Sequence, residues 1–245
     1  MKSFRLRRLA LAAIGLLVAQ SARAEEDLTI YYQDRPPYSS RQGDGTVHGL
    51  TADVAAQALA AAGVAFHWVD MPSARQMAAI KGDRGRACGL GWFKNPERET
   101  FAKFTRALYH DRPMVVVARS ADSRFGRTLT VARLFTDKSL TLLVKNSYSY
   151  GAEIDEKIAS LKPRLREDSS ENRTMLQMIS RQRVDYMVMA EEEATDLLAS
   201  PDIGQGLAIY HLDDAPPGQY RYLMCARSVP DDVIARINQA IAPAQ

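Results

Sequence analysis

Within GLGWFKNPERETFAKFT (89–105), Asn95-Pro96 marks a helix start directly after an apolar run. Asn at the cap and Pro at the first helical position suit such a start. Arg98 then falls inside the first turn, where the helix dipole disfavours a cation. An anion would remove that misfit, since a carboxylate can take paired bonds from a guanidinium and further bonds from free backbone N–H groups. Trp92 and Phe93 would supply apolar or stacking walls beside the charge. The competing reading is an exposed arginine paired with Glu97 or Glu99.

Other chemistry is sparse. His48, His67, His110 and His211 lack any i, i+4 pairing or nearby Cys, so metal-site spacing is absent and no metal is expected. No nucleophile elbow or phosphate loop occurs, and GRACGLG has the wrong spacing for a dinucleotide fingerprint, so no cofactor is expected either. Glu191-Glu192-Glu193 opens a helix, where the dipole favours acid. Glu192 and Glu193 read as a solvated face. Glu191 sits at the end of the strand YMVMA, where open α/β sheets bind ligands, and is a candidate site residue. Arg75, after the Pro72-Ser73 turn, either reaches the same region or lies on a solvated helix face. Met175, Met178, Met187 and Met189 read as core filler.

The elements that would position these residues begin after a leader. Lys2, Arg5, Arg7 and Arg8 precede a short apolar stretch ending in Ala22-Arg23-Ala24, the pattern of a secretory signal peptide over 1–24. Five of the 32 Lys and Arg lie there and none of the 29 acidic residues, which leaves 27 basic against 29 acidic residues, net −2. The remaining chain has no basic stripe with interleaved aromatics, so no nucleic-acid partner is expected. Cys88 and Cys225 either form one long-range bridge in an oxidising compartment or sit as two buried thiols.

Strand and helix signals then alternate. LTIYY, VAFHWV, ACGLGWF and the wholly apolar PMVVVA read as strands, with helices at ADVAAQALAAAG, capped by Thr51, and from Ser73. A second cycle follows: strand SLTLLV, helix YGAEIDEKIASL, helix ENRTMLQMISR capped by Ser169 or Ser170, strand VDYMVMA, helix EEEATDLLAS and strand GLAIYHL. DDAPPGQ (213–219) breaks the pattern before a last strand YRYLMCA and helix PDDVIARINQAI. The alternation predicts α/β architecture with mostly parallel sheets, in two lobes.

YYQDRPPYSSRQGDGTVHGLTADVAAQAL resembles the opening of the family 3 bacterial extracellular solute-binding proteins, through Pro36-Pro37-Tyr38, Gly45, Gly49-Leu50 and Asp53. NPERETFAKFTRALYHDRPMVVV is similar to that family's second signature, and VDYMVMA to its later strand. The likeness covers nearly all of 25–245. It implies the type II periplasmic-binding-protein fold: two mixed sheets flanked by helices, joined by two hinge strands, with ligand trapped between the lobes. Lobe 1 would be 25–116 plus 220–245 and lobe 2 would be 117–219, with crossings near VVVARS and APPGQY. In amino-acid-binding members the signature arginine clamps the ligand carboxylate, a role that falls on Arg98.

There are departures. The acidic residue that would hold a ligand ammonium is replaced by Ala190, with Glu191 one step later. The covering aromatic of the first loop is Arg35, with Tyr38 after the prolines. The turn opening the second lobe reads KNSYSYG, so Asn146, Ser147 and Tyr148 would supply hydroxyls and amides. Asp53 and Asp185 read as structural. The expected protein is a monomeric, periplasmic binding protein without catalysis. It would take a small carboxylate-bearing molecule, an amino acid or a relative, for an ABC transporter or a sensor. The alternatives are a periplasmic cyclohexadienyl-dehydratase-like enzyme with Glu191 as general acid, and a ligand-free partner of a sensor kinase.

Overall fold

LTIYY forms β1 (Leu28–Tyr32), whose alternate residues are fully buried. It leads into a small hairpin of β2 (Ser40–Arg41) and β3 (Val47–His48), and then α1 (Ala52–Ala61). β4 (Phe66–Asp70), α2 (Ser73–Lys81), β5 (Ala87–Phe93), the single-turn α3 (Pro96–Glu99), β6 (Ala102–Phe104) and β7 (Tyr109–His110) follow. The second cycle runs β8 (Met114–Arg119), α4 (Val131–Thr136), β9 (Thr141–Lys145), α5 (Ala152–Leu161) and β10 (Arg164–Asp168). It continues through α6 (Asn172–Ser180), β11 (Tyr186–Ala190), α7 (Glu191–Ala199), α8 (Pro201–Gly204) and β12 (Leu207–His211). β13 (Tyr220–Ala226) and α9 (Asp231–Ala240) close the chain. This computed structural model describes residues 27–126 and 128–243; the expected signal peptide lies outside the described residues.

The strands make two large sheets of matching design, one per lobe. The first has the order β4-β1-β5-β13-β6, with β7 also on β13; the second has the order β10-β9-β11-β8-β12. In each, three parallel strands meet a central strand running the other way, β13 in the first and β8 in the second. Val115, Val116 and Val117 of β8 are buried on both faces, each side chain worth about 1.5–3 kcal/mol of burial. Helices α1 and α9 cover the first sheet, while α6, α7 and α8 share a core with the second.

The chain passes from the first sheet to the second at 111–113 and returns at 212–219. The first passage precedes all of β8, ahead of the boundary expected at 116/117, because the whole apolar strand pairs with β11 and β12. The two passages touch: the Asp111 N–H donates to the Gln219 carbonyl at 2.9 Å. A Cβ on Gly218 would sit 1.6 Å from the Asp111 carbonyl oxygen, so only glycine fits this approach. Cys88 and Cys225 face each other across β5 and β13 and are disulfide-bonded. Among the described residues no helix is long and apolar enough to cross a membrane.

Candidate functional site

Between the sheets lies a cavity of about 80 Å³, lined from both lobes. The first lobe contributes the loop after β1, the end of β5, α3 and β13. The second contributes the turn after β9, the start of α6 and strand β11.

The β1 loop is held by the amino end of α1. Gly49, at φ +139°, leaves room for the Pro37 carbonyl, which a Cβ would approach to 2.5 Å. The Tyr38 carbonyl accepts from Thr51 N and from Thr51 Oγ1 (3.1 and 2.9 Å). Thr51 therefore anchors the loop through its side chain and does not cap the helix that follows. The loop points Arg35 and Tyr38 at the second lobe.

Arg98 is only 5% exposed. Asn95 caps α3 as expected, but it does so by accepting from the Arg98 N–H at 2.9 Å. That donor is consumed and the helix has a single turn, so positive charge at this position comes from the guanidinium. Nη1 donates to the Phe93 carbonyl (2.7 Å) and Nη2 to the Ser147 carbonyl (3.4 Å), and the group lies 4.9 Å over Trp92. Trp92 is fixed in turn by Gln76, whose amide oxygen accepts from Nε1 at 3.0 Å. No carboxylate among the described residues pairs with Arg98. Burial pushes its pKa down, and the more distant Asp155 and Glu97 only partly oppose that.

The cavity's two other cations are paired. Arg221, on β13, binds Asp111 through two 2.7 Å bonds, with both residues buried. Its guanidinium lies 3.7 Å from the Tyr38 ring centroid and 4.8 Å from that of Phe93. Arg35 crosses the cleft to Glu193 of α7, with Nε 2.9 Å from Oε1 and Nη2 bonded to Oε2. It lies 5.2 Å from both the Tyr38 and Tyr148 rings. Burial would raise the Glu193 pKa, but Arg35 outweighs it and holds the carboxyl below its usual range. Asn172 also donates to Glu193, at 2.6 Å. Two buried polar atoms of the lining, Tyr38 Oη and Asn172 Oδ1, have no hydrogen-bond partner among the described residues.

Of the residues singled out in the sequence, Arg35, Tyr38, Trp92, Phe93, Arg98 and Tyr148 line the cavity together. Ser147 and Asn146 lie on an adjoining groove of the second lobe, where Asn146 Nδ2 donates to Ser169 Oγ at 2.8 Å. Glu191 is off the lining, 3.8 Å from Arg112 and 3.5 Å from His211. Arg75 is exposed on α2 and also off the lining. The solvated reading of Glu192 and Glu193 is overturned, because they are 8% and 1% exposed. Glu192 accepts from Tyr109 Oη and the Arg112 N–H (3.1 and 2.7 Å), and so braces the first passage between lobes. Arg221, Asn172 and Glu193 went unpredicted. For Arg221 the signal was a charge at an inward position of the apolar strand YRYLMCA. For Glu193 there was none, since an acidic helix start explains itself.

The sequence profile of the bacterial extracellular solute-binding proteins, family 3, matches residues 28–242. The chain belongs to that family. Solved structures show the same two-lobed periplasmic-binding-protein fold. An ancestral arginine-binding protein bound to arginine matches at TM-score 0.70 and 15% identity, covering 89% of this chain and 91% of that one. The substrate-binding protein of an amino acid ABC transporter matches at 0.67 and 17%, covering 87% and 91%. A histidine kinase sensor domain with similarity to periplasmic binding proteins matches at 0.70 and 14%, covering 88% and 89%. No curated protein sequence shows significant similarity. Between the lobes of this family 3 solute-binding protein lies a cavity whose lining includes one guanidinium, Arg98, that pairs with no carboxylate among the described residues.

Proposed function

We propose that this solute-binding protein captures a small carboxylate-bearing molecule in the inter-lobe cavity and delivers it, unaltered, to a transporter or sensor at the membrane. The observation that carries the reading is Arg98, buried in the lining without a carboxylate partner. An unpaired buried cation is costly, and a protein retains one where a ligand supplies the counter-charge. The Trp92, Phe93 and Tyr148 rings offer walls for the body of the ligand.

Binding without turnover is the better-supported reading. Among the described residues the lining has no titratable side chain apart from arginine and tyrosine, and Glu191, the acid that a dehydratase would need, is engaged elsewhere. Arginine and an amino acid are what the similar structures' names mention, and neither is carried over to this chain by name alone.

Calorimetry with a panel of amino acids and small carboxylic acids tests the proposal. A ligand of micromolar affinity, about −8 kcal/mol, will lose at least about 30-fold in Arg98→Met, the lower end for truncating one partner of a buried charge pair. Equal affinity of parent and variant for every hit would refute the assignment.

A further inference from the structure

Resting on that reading, we infer that the ligand carries no ammonium group: it is a monocarboxylic acid with an uncharged, largely apolar body. The inference comes from a charge count over the lining and its direct ion-pair partners. Arg35, Arg98 and Arg221 bring three positive charges, while Glu193 and Asp111 bring two negative ones, leaving one positive charge at Arg98. A singly charged anion neutralises the site. A zwitterion leaves the excess in place and puts its ammonium near three guanidiniums. Among the described residues no Asp or Glu lies in the lining to receive it.

Of the two carboxylates paired with lining arginines, Asp111 is held by Arg221 through two bonds, and Glu193 is fully committed as well. It takes two bonds from Arg35 and a third from Asn172, in a site closed to solvent. Freeing it for an ammonium would leave the Arg35 guanidinium buried and unpaired, merely exchanging one cation for another. The strand end that faces the cavity from the second lobe is Ala190, which offers only a methyl.

The unpartnered polar atoms, Tyr38 Oη and Asn172 Oδ1, are neutral. They match a hydroxyl on the ligand, which donates to the amide oxygen and accepts from the phenol. Rings and aliphatic groups, among them Leu90, Met114, Val188 and Met189, make up much of the rest of the lining, beside the neutral polar side chains of Gln33, Ser39, Thr51, Ser73, Gln76 and Ser149. A small aryl or branched-alkyl acid with one hydroxyl suits that lining chemistry. Such a molecule is what remains when the amino group of an apolar amino acid has been replaced by hydrogen or hydroxyl.

Matched pairs give the test: L-phenylalanine against 3-phenyllactate, and L-leucine against 2-hydroxy-4-methylpentanoate, by calorimetry near neutral pH on parent protein and Arg98→Met. The expected result is a hydroxy acid at least about tenfold tighter than its amino partner, with that affinity lost in the variant. Equal or tighter binding of the amino acid overturns the inference; if it still depends on Arg98, the carboxylate reading of the site survives. Binding that ignores Arg98 removes both. Failure of both pairs to bind overturns the inference, while the wider carboxylate panel decides the proposed function.

Discussion

Arg98 and Arg221 stand in the same ring-lined cavity, yet replacing them will have opposite consequences for the empty protein. Arg221→Met strands Asp111 without its partner in a buried site, a loss of about 3–5 kcal/mol. Arg98→Met removes a desolvated charge that no carboxylate offsets, so the relief balances the two lost hydrogen bonds and stability changes by less than about 1 kcal/mol. Denaturant unfolding of the two variants checks the contrast, and similar losses in both would contradict it. Arg98 was legible in the sequence because its place in a first helical turn was locally wrong. Its paired neighbours were not, since Arg221 meets Asp111 across 110 residues of chain, and no local pattern reports that distance.

Among the elements, legibility followed burial. The strands β1, β5, β8, β11 and β13 announce themselves because their side chains face a core. β10 did not: RLRED is an exposed edge, and charged edges are how sheets avoid pairing with strangers. The first turn of the second lobe shows how an element's end is held by charge. Asp122 accepts from Arg124, with Arg119 beside it, which brings its carboxyl from about 3.8 down to about 2. Asp185 completes the cluster by accepting from Arg119, Arg124 and the Thr141 N–H, as a strand anchor would. A depressed carboxyl stabilises the fold fully above its unfolded value. The contribution is therefore intact above about pH 4 and is lost as pH falls towards 2. Melting temperature measured from pH 5 to 2 will fall less steeply in Arg124→Ala than in the parent; parallel curves would disprove the account.

On the scale of the whole molecule, the two lobes are joined by more than their passages. Arg35 to Glu193, Gln33 to Glu171 and Arg98 to the Ser147 carbonyl all cross the cleft. Glu193→Gln removes the one buried ion pair among these while leaving the Asn172 contact a partner. Small-angle scattering of the ligand-free variant will show a larger radius of gyration than the parent, as the lobes part about the Asp111–Gly218 contact. An unchanged radius would mean that this pair does not hold the cleft shut. The α/β build in two lobes was readable from the order of the elements, whereas the return of the last strand to the first sheet came only with the family resemblance, and the sheets are mixed, not mostly parallel. The exact passage between lobes was not readable, because an apolar strand looks the same whichever sheet adopts it.

The bond between Cys88 and Cys225 has a consequence for how the chain bears damage. It spans 137 positions, and every strand of the second sheet lies inside that span. A protease nick anywhere in the second lobe therefore leaves both fragments tethered, and a pull on the two ends of the polypeptide runs through the sulfur link and bypasses that lobe altogether.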